Sequence, residues 1–230
     1  MTDFIQQRQQ ILTQIATLCI QHERTADTVQ LLAVSKTQPA DSIRQLFVAG
    51  QQAFGENYLQ EALQKQAELA DLPIEWHFIG QVQRNKTRDL AANFAWVHGV
   101  DRLLIAERLS AQRTPEQPAL NICLQVNIDD EATKAGCTPA ELPALVAAIS
   151  QLPQLRLRGL MVIPAEQNSD AFAKTAALFI GVHHVHAHPE DWDTLSIGMS
   201  ADLSEAIAEG ATIVRVGTAL FGARRSRLMP

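Results

Sequence analysis

No stretch of this 230-residue sequence approaches the roughly 18 uninterrupted apolar residues that a membrane span needs. Its opening, MTDFIQQRQQ, has no apolar signal core. The two absences together make the cytoplasm the expected compartment. Cysteine is scarce. Cys19, Cys123 and Cys137 are odd in number and lack metal-ligand spacing, which suits reduced thiols and gives no sign of a disulfide framework. Basic charge is not in excess: 19 Lys and Arg stand against 25 Asp and Glu, a net −6. A protein that coats nucleic acid would normally be basic. The one basic cluster, ARRSR at 223–227, reads as a solvated tail. No low-complexity linker and no break in composition divides the chain, so residues 1–230 are expected to form one domain. The glycine-rich turn that marks a dinucleotide fold after its first strand is also missing; that turn reads SKTQPA.

What is present is apolar sequence in short, repeated pieces. Apolar residues make up 47% of the chain, enough for a substantial core. Residues 3–22 place Phe4, Ile5, Ile11, Leu12, Ile15, Leu18 and Cys19 at helical spacing, which predicts an amphipathic opening helix. Eight short apolar runs follow: 29–35, 52–55, 75–80, 95–100, 121–128, 155–161, 193–199 and 212–217. Each is followed by a segment that can be helical. Pro39 opens the first of these helices and Gly50 closes it; the seventh starts at Ser200 or Ala201 and closes near Gly210. Eight strand–helix units of this length predict a parallel (β/α)8 TIM barrel over about 29–223, with an open doubly wound sheet as the rival.

In a barrel, functional residues gather at the C-terminal ends of the strands. The first run ends in Ser35-Lys36-Thr37, which puts an ammonium at the mouth. Taken alone, such a lysine reads as a solvated strand end. At the start of a helix after the seventh run, Ser200 would meet free N–H groups and a positive dipole end. Gly217, after the eighth run, permits close backbone approach, and Thr218 adds a hydroxyl. Barrels often bind phosphate between these two loops; a cap and a turn are the alternative. In TIVRVG, strand alternation puts Arg215 on the face of Ile213, opposite Val214 and Val216. A buried guanidinium requires acceptors, either carboxylates or a ligand atom. A lysine beside a phosphate site suggests a Schiff base with a phosphorylated aldehyde, of which pyridoxal 5′-phosphate is the commonest. A lysine's ordinary pKa is about 10.4, and desolvation or a nearby cation favours the free amine.

These motifs carry a resemblance. AVSKT (33–37), FGENYLQE (54–61), WHFIGQVQRNK (76–86), RLRGLMVIP (156–164), LSIGMSADLSEAI (195–207) and RVGTALFG (215–222) resemble, in order, the pyridoxal phosphate homeostasis proteins, also called the proline synthetase co-transcribed family. The resemblance runs from about residue 29 to 223. It implies a single barrel like the alanine racemase N-terminal domain, with pyridoxal 5′-phosphate held as an internal aldimine. It implies a role as carrier or regulator of that cofactor, with apo pyridoxal-phosphate enzymes as possible recipients and no dedicated turnover. By position it makes Lys36 the Schiff-base lysine; Ser200, Gly217 and Thr218 the phosphate cradle; and Arg215 the partner of the pyridine nitrogen. Asn57, His77 and Met161 would line the ring pocket or pack the barrel interior. GQVQRNK differs in detail from the usual form, and 165–192 diverges.

Three rivals stay open at this stage. An alanine-racemase-like enzyme would need a second proton carrier, which in that family is a tyrosine from another domain. The one tyrosine here is Tyr58, and no second domain is expected after Gly222. A Schiff-base aldolase would bind a sugar phosphate. In HHVHAHP (183–189), His184 and His188 stand at i,i+4, a spacing that can hold zinc. Pro189 follows at once and no third ligand is evident, so a solvated helix end is expected. DEATK (130–134) reads as loop charge.

Overall fold

The structure, a computed structural model, describes residues 4–131, 133–165, 168 and 170–222. The basic cluster at 223–227 lies outside the described residues. All eight predicted runs form strands: β1 (Gln30–Val34), β2 (Ala53–Glu56), β3 (Glu75–Phe78), β4 (Trp96–Val100), β5 (Leu120–Gln125), β6 (Leu155–Met161), β7 (Thr194–Ser196) and β8 (Ile213–Val216). They pair in parallel in chain order and close, β8 on β1, into a barrel. At the closing seam Leu32 stands opposite Arg215 and Ala33 opposite Val216.

Alternation along each strand divides the buried residues into two sets. One set points inward: Leu32, Ala53, Ile79, Trp96, Cys123, Met161 and Ile213 form an apolar cluster inside the barrel. The other set, including Leu31, Ala33, Phe54, Trp76, Phe78, Val214 and Val216, packs outward with the helices. In β8 this places Ile213 and Arg215 on the inner face, as the alternation predicts.

The opening helix, α1 (Phe4–Gln21), buries Ile11, Ile15 and Cys19. It packs against α2 (Ala40–Val48), α8 (Leu203–Ala208) and α9 (Thr218–Phe221). The last of these has only four residues, so α1 supplies the cover that a full helix after β8 would give the seam. Arg8 of α1 fastens the contact, donating to the carbonyls of Ala49 and Gly50 at 3.0 and 2.9 Å. These are orphan acceptors at the C-terminal end of α2. That helix begins after Pro39, as expected, and Gly50 closes it at φ +91°.

Two expectations need correction. The helix after β7 begins at Leu203 with Asp202 at its N-cap, so Ser200 lies in the preceding turn and is exposed. Asp202 Oδ1 accepts the N–H of Met199 at 2.5 Å, so it, not Ser200, organises the turn. The histidine stretch is not uniformly solvated either. The helix α7 (Ala171–Val182) gives way to a short 3₁₀ turn, and His186 is buried. Its Nε2 donates to the carbonyl of Leu157 at 2.9 Å, and its Nδ1 accepts the N–H of His188. His184 and His188 remain exposed.

All three cysteines are buried and free. Desolvation raises each thiol pKa, that of Cys137 to about 12, and a thiol is nucleophilic only as thiolate. The folded protein should therefore react negligibly with an aromatic disulfide reagent at neutral pH and release the full complement of three thiols on unfolding, read as absorbance of the liberated thiolate.

Candidate functional site at the C-terminal mouth of the barrel

Each predicted site residue has a definite position. Lys36 sits half-buried in the turn after β1, and Asn57 half-buried just after β2. Met161 ends β6 and is fully buried. Ser200 lies in the loop after β7; Arg215 is inside β8; Gly217 and Thr218 follow it, with Thr218 exposed. In barrel order the strands run β6, β7, β8, β1, β2. These residues therefore occupy one continuous arc of the mouth. His77 is the exception. It lies in β3 level with Gly55, below Asn57, fully buried and stacked on Trp96 at 5.3 Å between ring centres.

The seam brings the two ends of the sequence together. A Cβ placed on Gly217 would lie 3.3 Å from the carbonyl oxygen of Val34. That is a tight contact, so the backbone of Gly217 lies close against the end of β1, two residues before Lys36. Across the arc, the turn holding Asn57 packs on Gly80, where a Cβ would fall 2.2 Å from the Asn57 carbonyl. Only glycine permits that approach. Asn57 Oδ1 is buried and has no hydrogen-bond partner within the protein, an orphan acceptor at the mouth.

Arg215 is 5% exposed. Its guanidinium donates to the Ser196 carbonyl, to Ser196 Oγ at 3.0 Å and to the Val162 carbonyl at 2.8 Å. Burial lowers its pKa to about 10, with Asp202 pulling the other way, so it stays charged at neutral pH. The acceptors come from β7 and from the residue after β6, which fixes the group toward the mouth.

The turn that carries Lys36 is clamped from behind by a cluster on the outer face of the strands. Lys65 of α3 (Leu59–Glu68) donates to Glu56 Oε1 at 2.7 Å, to Glu61 Oε1 at 2.6 Å and to the Ser35 carbonyl at 2.8 Å. Ser35 Oγ donates to Glu56 at 2.6 Å, and the Thr37 N–H donates to Glu61 at 2.5 Å. Thr37 needs such a hold, because its φ is +65° and a β-branched residue is unfavourable there. Burial pushes the Glu56 carboxyl above its ordinary range, while Lys65 and Ser35 oppose the rise. Across the mouth, Asp129 accepts from the Ala165 N–H at 2.8 Å and from Lys134 Nζ at 2.5 Å, so the DEATK loop is tied down through its lysine.

The residues that sequence reading missed are His98 and Ser196, which link His77 to Arg215 through the barrel interior, and Glu75, which bonds His77 on its other side. The signal was available: His98 interrupts an apolar strand on the face of Trp96, as Arg215 does in β8. A cleft of about 230 Å³ opens at the other end of the barrel among Gln30, Trp96, Arg158, Asp193 and three threonines. Arg158 and Asp193 are already paired there. Among the described residues no cluster of three metal-capable side chains occurs, and no helix is long and apolar enough to cross a membrane.

This barrel, with its polar arc at the mouth, is of the alanine racemase N-terminal-domain class: the model of that family, "Alanine racemase, N-terminal domain", matches residues 14–225. Two curated relatives are both named pyridoxal phosphate homeostasis protein. That of Pseudomonas aeruginosa is 59% identical over 206 residues, 87% of each chain. That of Escherichia coli is 45% identical over 232 residues, 97% of this chain and 98% of its own. The chain belongs to the pyridoxal phosphate homeostasis protein family. Among solved structures, PipY of Synechococcus elongatus with pyridoxal phosphate bound is 42% identical, with a TM-score of 0.72 over 90% of this chain and all of its own.

The clamp behind Lys36 makes a stability prediction. Lys65→Met leaves Glu56 buried without its cation, which should lower unfolding free energy by about 3–5 kcal/mol. Adding Glu56→Gln should recover part of that loss. Denaturant midpoints of the single and double variants, compared with wild type, provide the measurement.

Proposed function

We propose that the protein binds pyridoxal 5′-phosphate at the barrel mouth through Lys36 and serves the homeostasis of that cofactor in the cytoplasm, with no dedicated turnover. The observation that carries this reading is the seam between β8 and β1. There a bare-backbone glycine, a buried cation and the lysine-bearing turn adjoin one another. The residues present suit the cofactor. Gly217 has no side chain to obstruct a phosphate, and Ser200 and Thr218 add exposed hydroxyls. Asn57 has an unmet acceptor at the same mouth. The relatives' printed names and the bound PipY structure support the same ligand.

When bound, pyridoxal phosphate supplies an aldehyde that bonds an amine and a ring that draws electrons. Lys36 would provide the amine. Its ammonium would have to lose a proton first. A guanidinium can only donate, so Arg215, placed toward the pyridine nitrogen, would keep that nitrogen unprotonated and weaken the ring as an electron sink. Met161 would form an apolar wall beneath the ring. A racemase would also need a second proton carrier. Tyr58, the only tyrosine, is 57% exposed beside β2, which favours holding the cofactor over turning it over.

Borohydride reduction of the loaded protein should fix the cofactor on Lys36, seen as a mass increase on the peptide containing it. Lys36→Ala should give no adduct; an adduct elsewhere would sink the assignment. Loss of one phosphate contact, as in Ser200→Ala or Thr218→Val, should weaken binding by roughly tenfold or more, the worth of a hydrogen bond to a charged group. Transfer to an apo-enzyme in the presence of a trap for free cofactor distinguishes carrier from buffer. Transfer that the trap abolishes supports buffering alone. Sustained, Lys36-dependent loss of optical rotation with L-alanine would point to a racemase instead.

A further inference from the structure

The barrel interior contains an unbroken chain of hydrogen bonds from one end to the other. Glu75, at the start of β3 with its side chain 42% exposed, accepts from His77 Nε2 at 2.8 Å. His77 Nδ1 meets His98 Nε2 at 2.9 Å, and His98 Nδ1 meets Ser196 Oγ at 2.8 Å. The same oxygen receives Arg215 Nη1 at 3.0 Å. Both imidazoles and Ser196 are fully buried.

Proton positions in this chain are determined by its two ends. An ionised carboxylate only accepts, so His77 Nε2 bears a hydrogen. A neutral His77 then has a bare Nδ1, which must accept from His98 Nε2–H. A neutral His98 likewise has a bare Nδ1, which must accept the Ser196 hydroxyl proton. That leaves the serine's lone pairs toward Arg215, which can only donate. Every N–H and O–H therefore points from Arg215 toward Glu75, and each atom's role is satisfied. Neutrality is what burial demands: desolvation lowers both imidazole pKa values, and His77 and Arg215 depress that of His98 further. Ring planes are fixed as well. Trp96 stacks on His77 with 5° between planes, and Arg158 lies 5.0 Å from the Trp96 ring centre. Gln30 donates to Glu75 at 3.3 Å and steadies the far end.

We propose that Glu75, His77, His98 and Ser196 are positioning residues for Arg215: the directed donor chain fixes the Ser196 hydroxyl, and through it the guanidinium that meets the cofactor's ring nitrogen. The inference rests on the proposed function for its ligand, but the chain itself is a property of the protein alone. Glu75 and His77 lie below the mouth and would act on Arg215 through the chain.

Two cofactor-free measurements test the chain. In protein labelled with ¹⁵N-histidine and ¹⁵N-arginine, His77 and His98 should both show the Nε2–H tautomer, and the Arg215 Nη–H signals should exchange slowly. In Glu75→Gln, an isosteric change at a half-exposed site, the tautomers should become mixed and the Arg215 signals should exchange faster. An Nδ1–H tautomer on either ring of the wild type, or Arg215 exchange unaltered by Glu75→Gln, overturns the proposal. The loaded protein gives the third readout. Glu75→Gln and His98→Leu should weaken pyridoxal phosphate binding about fivefold, the loss expected from one weakened hydrogen bond. They should also shift the visible absorption in the direction that Arg215→Lys does. Unchanged affinity and spectrum in a folded variant would also overturn it, and Glu75→Gln decides if His98→Leu does not fold. If the wild type binds no pyridoxal phosphate, the functional reading fails and with it the role toward a ring nitrogen. The NMR result still decides whether the chain positions Arg215.

Discussion

A guanidinium inside a barrel must be surrounded by acceptors, and much of this interior is arranged to meet that demand. Arg215 cannot shed its charge at neutral pH, and an unpaired buried ion would destabilise the fold by several kcal/mol. Carbonyl oxygens of Ser196 and Val162 answer part of the demand. The Ser196 hydroxyl answers more, but only if its own proton points elsewhere. That requirement passes to His98, then to His77, and ends at a carboxylate that water can reach. Four strands thus carry polar residues at interior positions that an apolar core would otherwise fill. Apolar residues fill part of the rest: Leu32, Ile79, Cys123, Met161 and Ile213 pack in one cluster inside the barrel.

The second constraint is the seam. Parallel strands with helical crossovers leave the first and last strands to find each other over nearly the whole chain, and α9 is too short to cover the join. α1 does so instead, with Arg8 pinned to the end of α2. Closure sets Val34 beside Gly217 and so brings the Lys36 turn against the loop after β8. On the outer side of the same turn, Lys65 and Glu61 hold Ser35 and Thr37. The turn is gripped by backbone pairing on one side and a buried ion cluster on the other, which leaves Lys36 on a rigid support.

How much of this was legible in the sequence follows from how far each signal extends along the chain. Strand positions were legible because short apolar runs between helical segments are a local pattern. That Arg215 shares a face with Ile213 was legible from alternation; that this face is the inner one needed the closed barrel. His98 obeys the same alternation and could have been read the same way, yet a lone histidine in an apolar run carries less alarm than an arginine. Ser200 was assigned to a helix start, but the helix begins at Leu203 and the Asp202 carboxylate instead reaches back to the Met199 N–H, a contact within the turn that spacing does not reveal. His186 was grouped with its neighbours, but only it meets the edge of β6. The pairing of Glu56 with Lys65 could not be read at all, since it joins a strand's outer face to the second turn of the next helix and depends on how the two pack.

The donor-only character of Arg215 connects the fold to the function. A group that can accept or release a proton at the pyridine nitrogen would let the ring draw electrons from a bonded amine. A guanidinium fixed by a chain of neutral donors does the reverse: it offers hydrogen bonds and no proton. Each link reinforces this, because protonating either imidazole would add a second cation to a desolvated space that already contains one. If Arg215 meets the ring nitrogen as proposed, the interior would favour binding the ring without activating it. At the mouth, the polar groups form one arc over five adjacent strands, and the only tyrosine, a candidate second proton carrier, lies exposed to one side. Under the proposed function, a barrel built this way would suit holding an aldehyde on Lys36 rather than turning it over.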